Sequence, residues 1–343
     1  MLISEFDFDL PENLIAQTPL EKRENSRLLV VNKEKQSFDD AHFYDFPRFL
    51  RKGDVLVLNN TKVFPARVFG ETETGVKVEI FLVKEIENQI WETLARPARR
   101  LKIGKKITFS ENLSAKVLAR TEEGRVIIEF ETNGNFDEIL DKIGKTPLPP
   151  YIKRDDGNFE KDRERYQTVF AKNRGAIAAP TAGLHFTPEI LESIKSCGIE
   201  IAEITLHVGY GTFEPVRVND LSEHKVLPEN YEITAETAET LNLAKFENRR
   251  IIAIGTTTTR TLESAFSKHN KFLAEKNLAD LTVTPEYKFK AIDAVLTNFH
   301  LPQSSLLVLI STFGGHELII NSYQHAVREN YRFYSYGDCM FVC

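Results

Sequence analysis

Short apolar runs alternate with polar tracts along most of this chain. Residues 54–58, DVLVL, are typical of a strand buried on both faces, and the polar tract NNTK follows directly. The same pattern predicts four later strands, at IEIAEITLHV (199–208), RIIAIG (250–255), residues 292–299 and RFYSYGDCMFV (332–342).

Helical signals lie between these strands. Thr187 followed by Pro188 is an N-cap with proline in the first helical position, and Gly198 ends the helix, so we expect a helix over residues 188–197. Further helices are predicted over Ala235 to Phe246, from the segment TTTTRTLESAF, over Ser304 to Phe313 and over Glu317 to Asn330. Strands that alternate with helices predict an α/β layer.

Residues 68–143 have a different pattern, in which short alternating segments such as VKVEIFLV and RVIIEFE are separated by turn residues that include Gly75, Gly104 and Gly124. This pattern favours a small barrel or sandwich. The proline-rich segment KTPLPPYIKR that follows favours an extended connector. We therefore predict a mixed-sheet α/β domain made of residues 1–67 and 151–343, interrupted by an inserted small β-barrel domain of residues 68–150.

Composition fits this picture and restricts the function. With 343 residues, 42% of them hydrophobic, the chain has the length of about two domains. A net charge of −6 argues against a surface that binds nucleic acid everywhere, but it allows a local basic patch. Three scattered cysteines indicate neither a disulfide framework nor a zinc site. The N-terminus has no pattern of a signal peptide and no apolar run is long enough to span a bilayer, so we expect a cytoplasmic protein without a membrane partner.

Polar residues follow several of the predicted strands, where ligand sites of α/β proteins usually lie. Asn59, Asn60 and Thr61 follow the first strand, and an Asn-rich turn is the structural alternative. The segment AAPTAGLHFT combines small residues with a histidine that can move protons, or else forms a tight loop around a buried histidine. Its candidate residues are Thr181, Gly183 and His185.

Two glycine- or threonine-rich tracts come next. In LHVGYGTFEPVR, Gly209 and Gly211 resemble the start of a dinucleotide-binding motif, but Glu214 occupies the place of the third glycine. The two glycines still allow a ligand to approach the backbone closely beside His207 and Thr212. In GTTTTRTLES, the free amides of a helix N-terminus favour an anion near Thr256 and Thr257, with Arg260 as a carboxylate clamp, unless the threonines only cap the helix.

The last tracts are TNFHLP and YRFYSYGDCM. His300 and Asp338 are types of residue that serve as base and acid, Asn298 is a polar neighbour, and Tyr336 can stack on a purine. Alternating aromatics are equally typical of a packed strand. None of the histidines lies in a local metal-binding pair, so no metal site is predicted.

The run RPARRLKIGKK carries six cations without an acid, which is typical of a phosphate contact or of a solvated surface. As candidate tRNA contacts we take Arg96, Arg99, Arg100, Lys102, Lys105 and Lys106.

Together these tracts closely resemble the S-adenosylmethionine:tRNA ribosyltransferase-isomerase family of queuosine biosynthesis. The motifs that carry the resemblance span essentially the whole chain: LNNTKVFPAR, GKTPLPPYIKR, RYQTVFAKNRGAIAAPTAGLHFT, LHVGYGTFEPV, GTTTTRTLES, LTNFHLP and YRFYSYGDCM. The resemblance implies transfer of the ribosyl part of S-adenosylmethionine to the 7-aminomethyl-7-deazaguanine (preQ1) wobble base of tRNA. The ribosyl group is isomerised to an epoxycyclopentane, which gives epoxyqueuosine-tRNA with release of adenine and methionine.

The resemblance also implies roles for the tracts. We expect His185, His300 and Asp338 to transfer protons, and Thr256, Thr257 and Arg260 to hold the methionine carboxylate. We expect Asn59, Asn60 and Thr61 to face the ribose or base. Further expected substrate contacts are Arg67, Thr181, Gly183, His207, Gly209, Gly211, Thr212, Asn298 and Tyr336. S-adenosylmethionine is consumed as a co-substrate, so no cofactor is expected, and we expect a monomer.

One departure matters: the family pattern H-x-M-H-x-E is here His224, Val226, Leu227 and Glu229, so its second histidine is absent. Two other functions compete with the transferase. A non-catalytic RNA-binding module would need the basic run but not the polar strand ends. A nicotinamide-dependent oxidoreductase would need the glycine motif that is missing.

Overall fold

The structure, a computed structural model, describes residues 1–154, 159–213 and 216–343, without the side chains of residues 159, 160, 212 and 213. Its strands in chain order are β1 (Arg27–Asn32), β2 (Ser37–His42), β3 (Val55–Asn59), β4 (Thr61–Val63), β5 (Arg67–Thr72), β6 (Lys77–Glu87), β7 (Ile90–Arg96), β8 (Lys106–Ser110), β9 (Leu113–Arg120), β10 (Val126–Thr132), β11 (Asn173–Ala176), β12 (Glu200–Leu206), β13 (Glu229–Ile233), β14 (Ile251–Ile254), β15 (Glu275–Ala279), β16 (Ala294–Asn298) and β17 (Cys339–Val342).

The α-helices, again in chain order, are α1 (Phe136–Ile143), α2 (Phe159–Arg165), α3 (Pro188–Ser196), α4 (Ala235–Phe246), α5 (Thr256–His269), α6 (Ser305–Gly314) and α7 (His316–Arg328). Within the described ranges no single helix is long and apolar enough to cross a membrane, and α6 and α7 meet that requirement only as a pair bent by 118°.

A mixed sheet of nine strands forms the centre, in the order β15-β13-β12-β3-β14-β16-β17-β1-β2. Four neighbouring strands, β12, β3, β14 and β16, run parallel, so their carboxyl ends lie at one edge. Antiparallel pairs flank them: β13 joins β12 on one side, and β17 joins β16 on the other. Ligands of α/β sheets bind at such a carboxyl edge.

Three of the four parallel strands are buried along their whole length, which explains their continuous apolar sequences. Every residue of β3 (VLVLN), β14 (IIAI) and β16 (AVLTN) is buried. Hydrophobic clusters lie on both faces, with Val57 and Ala253 in one cluster and Leu56 and Ile252 in the other. A strand covered on both faces by other layers has no polar face to expose.

The helix signals of the sequence are confirmed. The Thr187 hydroxyl accepts a hydrogen bond from the Ile190 amide at the start of α3, and Gly198, with φ of +76°, follows its end. Helix α4 has the predicted bounds. Helix α5 begins directly after β14, and the Ser304 hydroxyl caps α6.

Strands β5 to β10 close into a barrel in the order β10-β7-β6-β5-β8-β9, which confirms the predicted fold class. Its interior is apolar, with Val68, Ile80 and Ile128 fully buried. In the sequence β4 precedes the barrel and β11 follows it, and these two strands pair in parallel. The exact boundaries of the two domains stay a prediction.

Two predicted strand regions were wrong. Residues 136–143, taken as part of the alternating region, form α1, whose N-cap Asn135 accepts a hydrogen bond from the Glu138 amide. The predicted strand over residues 332–342 is limited to β17, because Tyr334 has φ of +73° and the Gly337 amide turns back to the Tyr334 carbonyl.

Candidate functional site

A cavity of about 370 Å³ lies at the carboxyl ends of β14 and β16. Small-molecule sites have volumes of about 300–1,000 Å³. Five of the predicted site residues, which come from three separate stretches of sequence, contribute to its wall: Thr181, Thr256, Thr257, Asn298 and His300.

Two helices begin at this cavity. Thr256 and Thr257 open α5, and the N-cap Gly255 has no side chain to bond the first amides of that helix. Ser304 and Ser305 open α6 on the wall of the same cavity. Both helix N-termini bring partial positive charge, so together they favour a carboxylate.

The remaining wall is mostly apolar and carries several aromatic rings. Tyr151, Tyr166 and Tyr334 line it, and the ring centroids of Tyr151 and Tyr334 are 3.8 Å apart. Among the described residues the wall contains no Asp, Glu, Lys or Arg. Aromatic faces attract cations. Because the described wall has no carboxylate, these rings are the groups suited to bind a positively charged part of a ligand. Sequence analysis missed Tyr151, Tyr166, Gln303 and Ser335, although the proline-rich connector and the segment YRFYSY contain two of them.

His300 presents one ring nitrogen to this cavity. Its Nε2 lies 2.8 Å from the Thr297 hydroxyl, which itself donates to the Asn298 carbonyl at 3.3 Å. We assign the Thr297 proton to the Asn298 carbonyl, which places the ring proton on Nε2 and the lone pair on Nδ1; no described residue hydrogen-bonds Nδ1. Burial lowers the pKa of His300 to about 3, so the ring is neutral at physiological pH.

His185 has no free ring nitrogen. Its Nδ1 lies 2.7 Å from the Ser26 hydroxyl, and its Nε2 lies 3.1 Å from Nδ2 of Asn298. Burial, together with the charges of Arg23 and Arg332, lowers its pKa to about 3. His185 and Tyr336 border a neighbouring small cavity of about 20 Å³ rather than the main one. This position does not fit the proton transfer that we expected of His185.

Both carboxylate oxygens of Asp338 also accept hydrogen bonds from within the protein. The donors are the amides of Arg27 at 2.9 Å and Arg332 at 2.8 Å. Burial raises the pKa of this carboxyl, and the two amide bonds oppose that change. Asp338 therefore holds β1 against the segment before β17, which differs from the expected role in proton transfer.

Asn59, Asn60, Thr61 and His207, all expected at the ligand, bond to the protein instead. Asn59 donates to the Leu206 carbonyl and accepts the amides of Leu206 and Thr61. Asn60 bonds side chains of β11 and β12, and the Thr61 hydroxyl lies 2.8 Å from Nδ1 of His207. We call these four residues the strand interlock, because they join β3 and β4 to β11 and β12.

Arg260 forms a buried ion pair with Glu229, with 2.5 Å between the charged atoms. Its guanidinium also donates to the carbonyls of Leu227, Ala279 and Leu281. With these partners Arg260 lies outside the wall of the cavity, and its expected contact with the methionine carboxylate stays a prediction.

The glycines of two tracts have packing roles. A Cβ on Gly183 would lie 2.6 Å from the Phe170 ring, and one on Gly211 would lie 2.9 Å from Leu227. The Gly209 amide donates to Glu229. The side chain of Thr212 lies outside the described residues.

Arg67, expected at the substrate, lies on β5 of the barrel and pairs with Glu79 at 2.7 Å. The basic run follows β7 on the same barrel, and its cations are exposed except for the half-buried Lys105. Lys106 pairs with Glu131, whereas the other five cations have no ion pair among the described residues. These five cations are available to a polyanion.

Comparison with known proteins gives three consistent results. A family model described as "Queuosine biosynthesis protein" matches residues 3–342. An S-adenosylmethionine:tRNA ribosyltransferase-isomerase of Staphylococcus haemolyticus is 49% identical over the full length of both chains. The crystal structure of an S-adenosylmethionine tRNA ribosyltransferase from Thermotoga maritima matches with a TM-score of 0.56 and 34% identity, covering 99% of this chain and 100% of the other. The chain is thus an enzyme and belongs to the S-adenosylmethionine:tRNA ribosyltransferase-isomerase family of queuosine biosynthesis.

Proposed function

We propose that this enzyme transfers the ribosyl group of S-adenosylmethionine to the preQ1 wobble base of tRNA and isomerises it. The products are epoxyqueuosine-tRNA, adenine and methionine. One observation carries the proposal: residues from distant motifs of the family, Thr181, Thr256, Thr257, Asn298 and His300, line one cavity of suitable volume.

The wall of the cavity suits the charges of S-adenosylmethionine. The methionine carboxylate binds at the N-termini of α5 and α6, beside Thr256 and Ser305, because the amide dipoles there favour an anion. The sulfonium binds against the rings of Tyr151 and Tyr334, since an aromatic face stabilises a cation without neutralising it.

His300 is the candidate for proton transfer. The sulfonium acidifies the adjacent C5′ hydrogens, so a base is needed to form the ylide, and an acid assists the departure of adenine. Nδ1 of His300 carries a lone pair and belongs to a residue of the cavity wall. His185 and Asp338, whose atoms are already bonded within the protein, are left out of this role.

The exposed basic run is the proposed tRNA contact. Arg96, Arg99, Arg100, Lys102 and Lys105 supply positive charge on the barrel, and contacts to phosphates depend on such charge. The reaction is redox neutral overall, so we propose that no cofactor is needed beyond the consumed S-adenosylmethionine. We further propose that the enzyme works as a monomer in the cytoplasm, where its tRNA substrate is found.

Incubation with S-adenosylmethionine and preQ1-containing tRNA, followed by mass analysis of the nucleosides, tests the proposal. We expect an epoxycyclopentane adduct on the wobble base, with equal amounts of adenine released. The same tRNA with guanine at the wobble position is the control and should stay unmodified. Neither adduct nor adenine in the complete reaction would refute the proposed function. Adenine release without the adduct would refute the assigned acceptor base.

A further inference from the structure

The carboxamide of Asn298 is satisfied on one side only. Its Nδ2 donates to His185 Nε2 at 3.1 Å, to the Tyr334 carbonyl at 3.2 Å and to the Asp338 carbonyl at 3.4 Å. Its Oδ1 is enclosed and has no hydrogen-bond partner among the described residues. A buried carbonyl oxygen without a donor is uncommon in folded proteins and points to a ligand or an ordered water.

Two carbonyl groups fix which way the carboxamide faces. If it were turned over, Oδ1 would meet the carbonyl oxygens of Tyr334 and Asp338, and two acceptors repel each other. The amino side of Asn298 therefore faces His185.

The direction of the bonds then continues through two further residues. Because His185 Nε2 accepts from Asn298, its proton is on Nδ1 and is donated to the Ser26 hydroxyl. The Ser26 hydroxyl in turn donates to the Arg23 carbonyl at 3.1 Å. Asn298, His185 and Ser26 thus form a relay in which every hydrogen bond has one direction.

The relay lies between the two cavities. Asn298 belongs to the wall of the main cavity, whereas Ser26 and His185 border the small one. We propose that Ser26 and His185 are positioning residues that hold the Asn298 carboxamide so that Oδ1 accepts a hydrogen bond from an N–H or O–H group of S-adenosylmethionine. The inference rests on the proposed function, because it takes S-adenosylmethionine as the occupant of the cavity.

The electrostatics of His185 support a positioning role. Burial and the nearby Arg23 and Arg332 lower the pKa of His185 to about 3. Its ring therefore stays neutral, and Nε2 stays an acceptor, at physiological pH. A protonated ring would have no acceptor for Nδ2 of Asn298.

Calorimetric binding measurements on the full-length protein test the contact. Wild type and Asn298→Ala are titrated with S-adenosylmethionine and with four analogues, each lacking the 6-amino group, the 2′-hydroxyl, the 3′-hydroxyl or the α-amino group. We expect Asn298→Ala to weaken binding of S-adenosylmethionine roughly tenfold, as for one lost hydrogen bond. For the one analogue without the bonded group, wild type and variant should bind equally.

A general loss of structure would not give that pattern, because it would weaken all five ligands alike. Equal weakening of all five ligands would therefore overturn the contact. As a matched control, Asn242→Ala removes a carboxamide that bonds only to Phe272, away from the cavity wall, and should change no affinity. If wild type itself fails to bind S-adenosylmethionine, the proposed function fails rather than the relay.

Ser26→Ala and His185→Phe test the relay. The phenyl ring can keep the contact that His185 makes with Phe43, at 5.3 Å between ring centroids. We expect both variants to show a weaker form of the same ligand-selective loss, a raised KM for S-adenosylmethionine and an unchanged pH profile of kcat. Loss of turnover in His185→Phe with normal binding of S-adenosylmethionine would overturn the positioning role and make His185 a proton-transfer residue.

Discussion

Two tracts of the same residue types follow parallel strands of the central sheet, yet they have different surroundings. At the end of β3, Asn59 uses both ends of its carboxamide in bonds to β4 and β12, and its Nδ2 also donates to the Thr257 hydroxyl at 3.4 Å. After β16, Asn298 keeps an oxygen without a partner, and His300 a ring nitrogen. The first tract is part of the strand interlock, and the second contributes Asn298 and His300 to the wall of the cavity.

The next element in the chain explains the difference. After Asn60 the chain continues into β4, which β11 covers, so polar atoms there meet other backbone atoms. After Asn298, which pairs with Cys339 of β17, the chain turns into the N-terminus of α6 on the wall of the cavity. Of these two strand ends, the one that leads into a helix places its polar residues on the cavity wall, and the one that leads into a further strand does not.

We expect substitutions in the two tracts to differ most in their effect on kcat. His300→Ala removes the proposed proton-transfer group, and we expect kcat to fall about 10²- to 10⁴-fold, as for loss of a general base. Melting temperature and affinity for S-adenosylmethionine should change little. The control His269→Ala alters an exposed histidine at the end of α5 and should keep full activity. A normal kcat in His300→Ala would remove that residue from the mechanism.

We expect acid pH to destabilise the folded protein through two buried histidines, His185 and His300. Burial lowers the pKa of His185 and His300 to about 3, so the unfolded chain binds more protons than the folded one below the usual histidine pKa of 6.5. Their contribution to stability is present above that value and is lost as the pH falls toward 3. At about pH 5 each histidine should lower the free energy of unfolding by roughly 2 kcal/mol relative to about pH 7.5.

Urea denaturation at several pH values measures this effect. His185→Phe should lose one histidine's share of the pH dependence, so its curve should be flatter by roughly 2 kcal/mol over that interval. A variant with the same pH dependence as wild type would contradict the neutral, buried state of His185.

Substitution in the strand interlock should lower stability rather than catalysis. Asn59→Leu leaves the amides of Thr61 and Leu206 and the Leu206 carbonyl without partners. We expect a loss of about 3 kcal/mol in the free energy of unfolding, measured by denaturation. At a temperature where the variant stays folded, kcat should remain within a few-fold of wild type. A large fall in kcat of folded protein would place Asn59 at the ligand after all.

The smallest effect concerns the barrel, which we expect to influence only tRNA. The double variant Arg99→Ala and Arg100→Ala should weaken tRNA binding about tenfold and reduce the salt dependence by about one phosphate contact per arginine. Affinity for S-adenosylmethionine should not change. Replacing two exposed arginines of the α/β part, Arg48 and Arg328, is the matched control. Equal weakening in both double variants would mean that the basic run has no special role.

Local patterns predicted much of the fold. The apolar run of β3, the caps of α3 and the threonine-rich start of α5 are determined by neighbouring residues, and each appears where the sequence indicates. In the same way, the polar strand ends correctly pointed to Thr256, Thr257, Asn298 and His300 as residues of the cavity.

Long-range pairing decided the rest. Asn59 bonds to Leu206, which is 147 residues away, and Arg260 of α5 bonds to Glu229 of β13. No local pattern contains either partner. The departure at Leu227 was visible in the sequence, but the ion pair that forms beside it was not. Tyr151 reaches the cavity from the connector, so only the fold brings it to Tyr334.

The parallel pairing of β4 with β11 bears on how the barrel could have been inserted during evolution. Thr61 and Asn173 lie side by side, as do Lys62 and Arg174, although the whole barrel separates them in sequence. Among the described residues, no strand of the nine-stranded sheet pairs with a strand of the barrel. The barrel strands, from Arg67 to Thr132, could therefore have been inserted after β4 without interrupting any strand pair of the nine-stranded sheet.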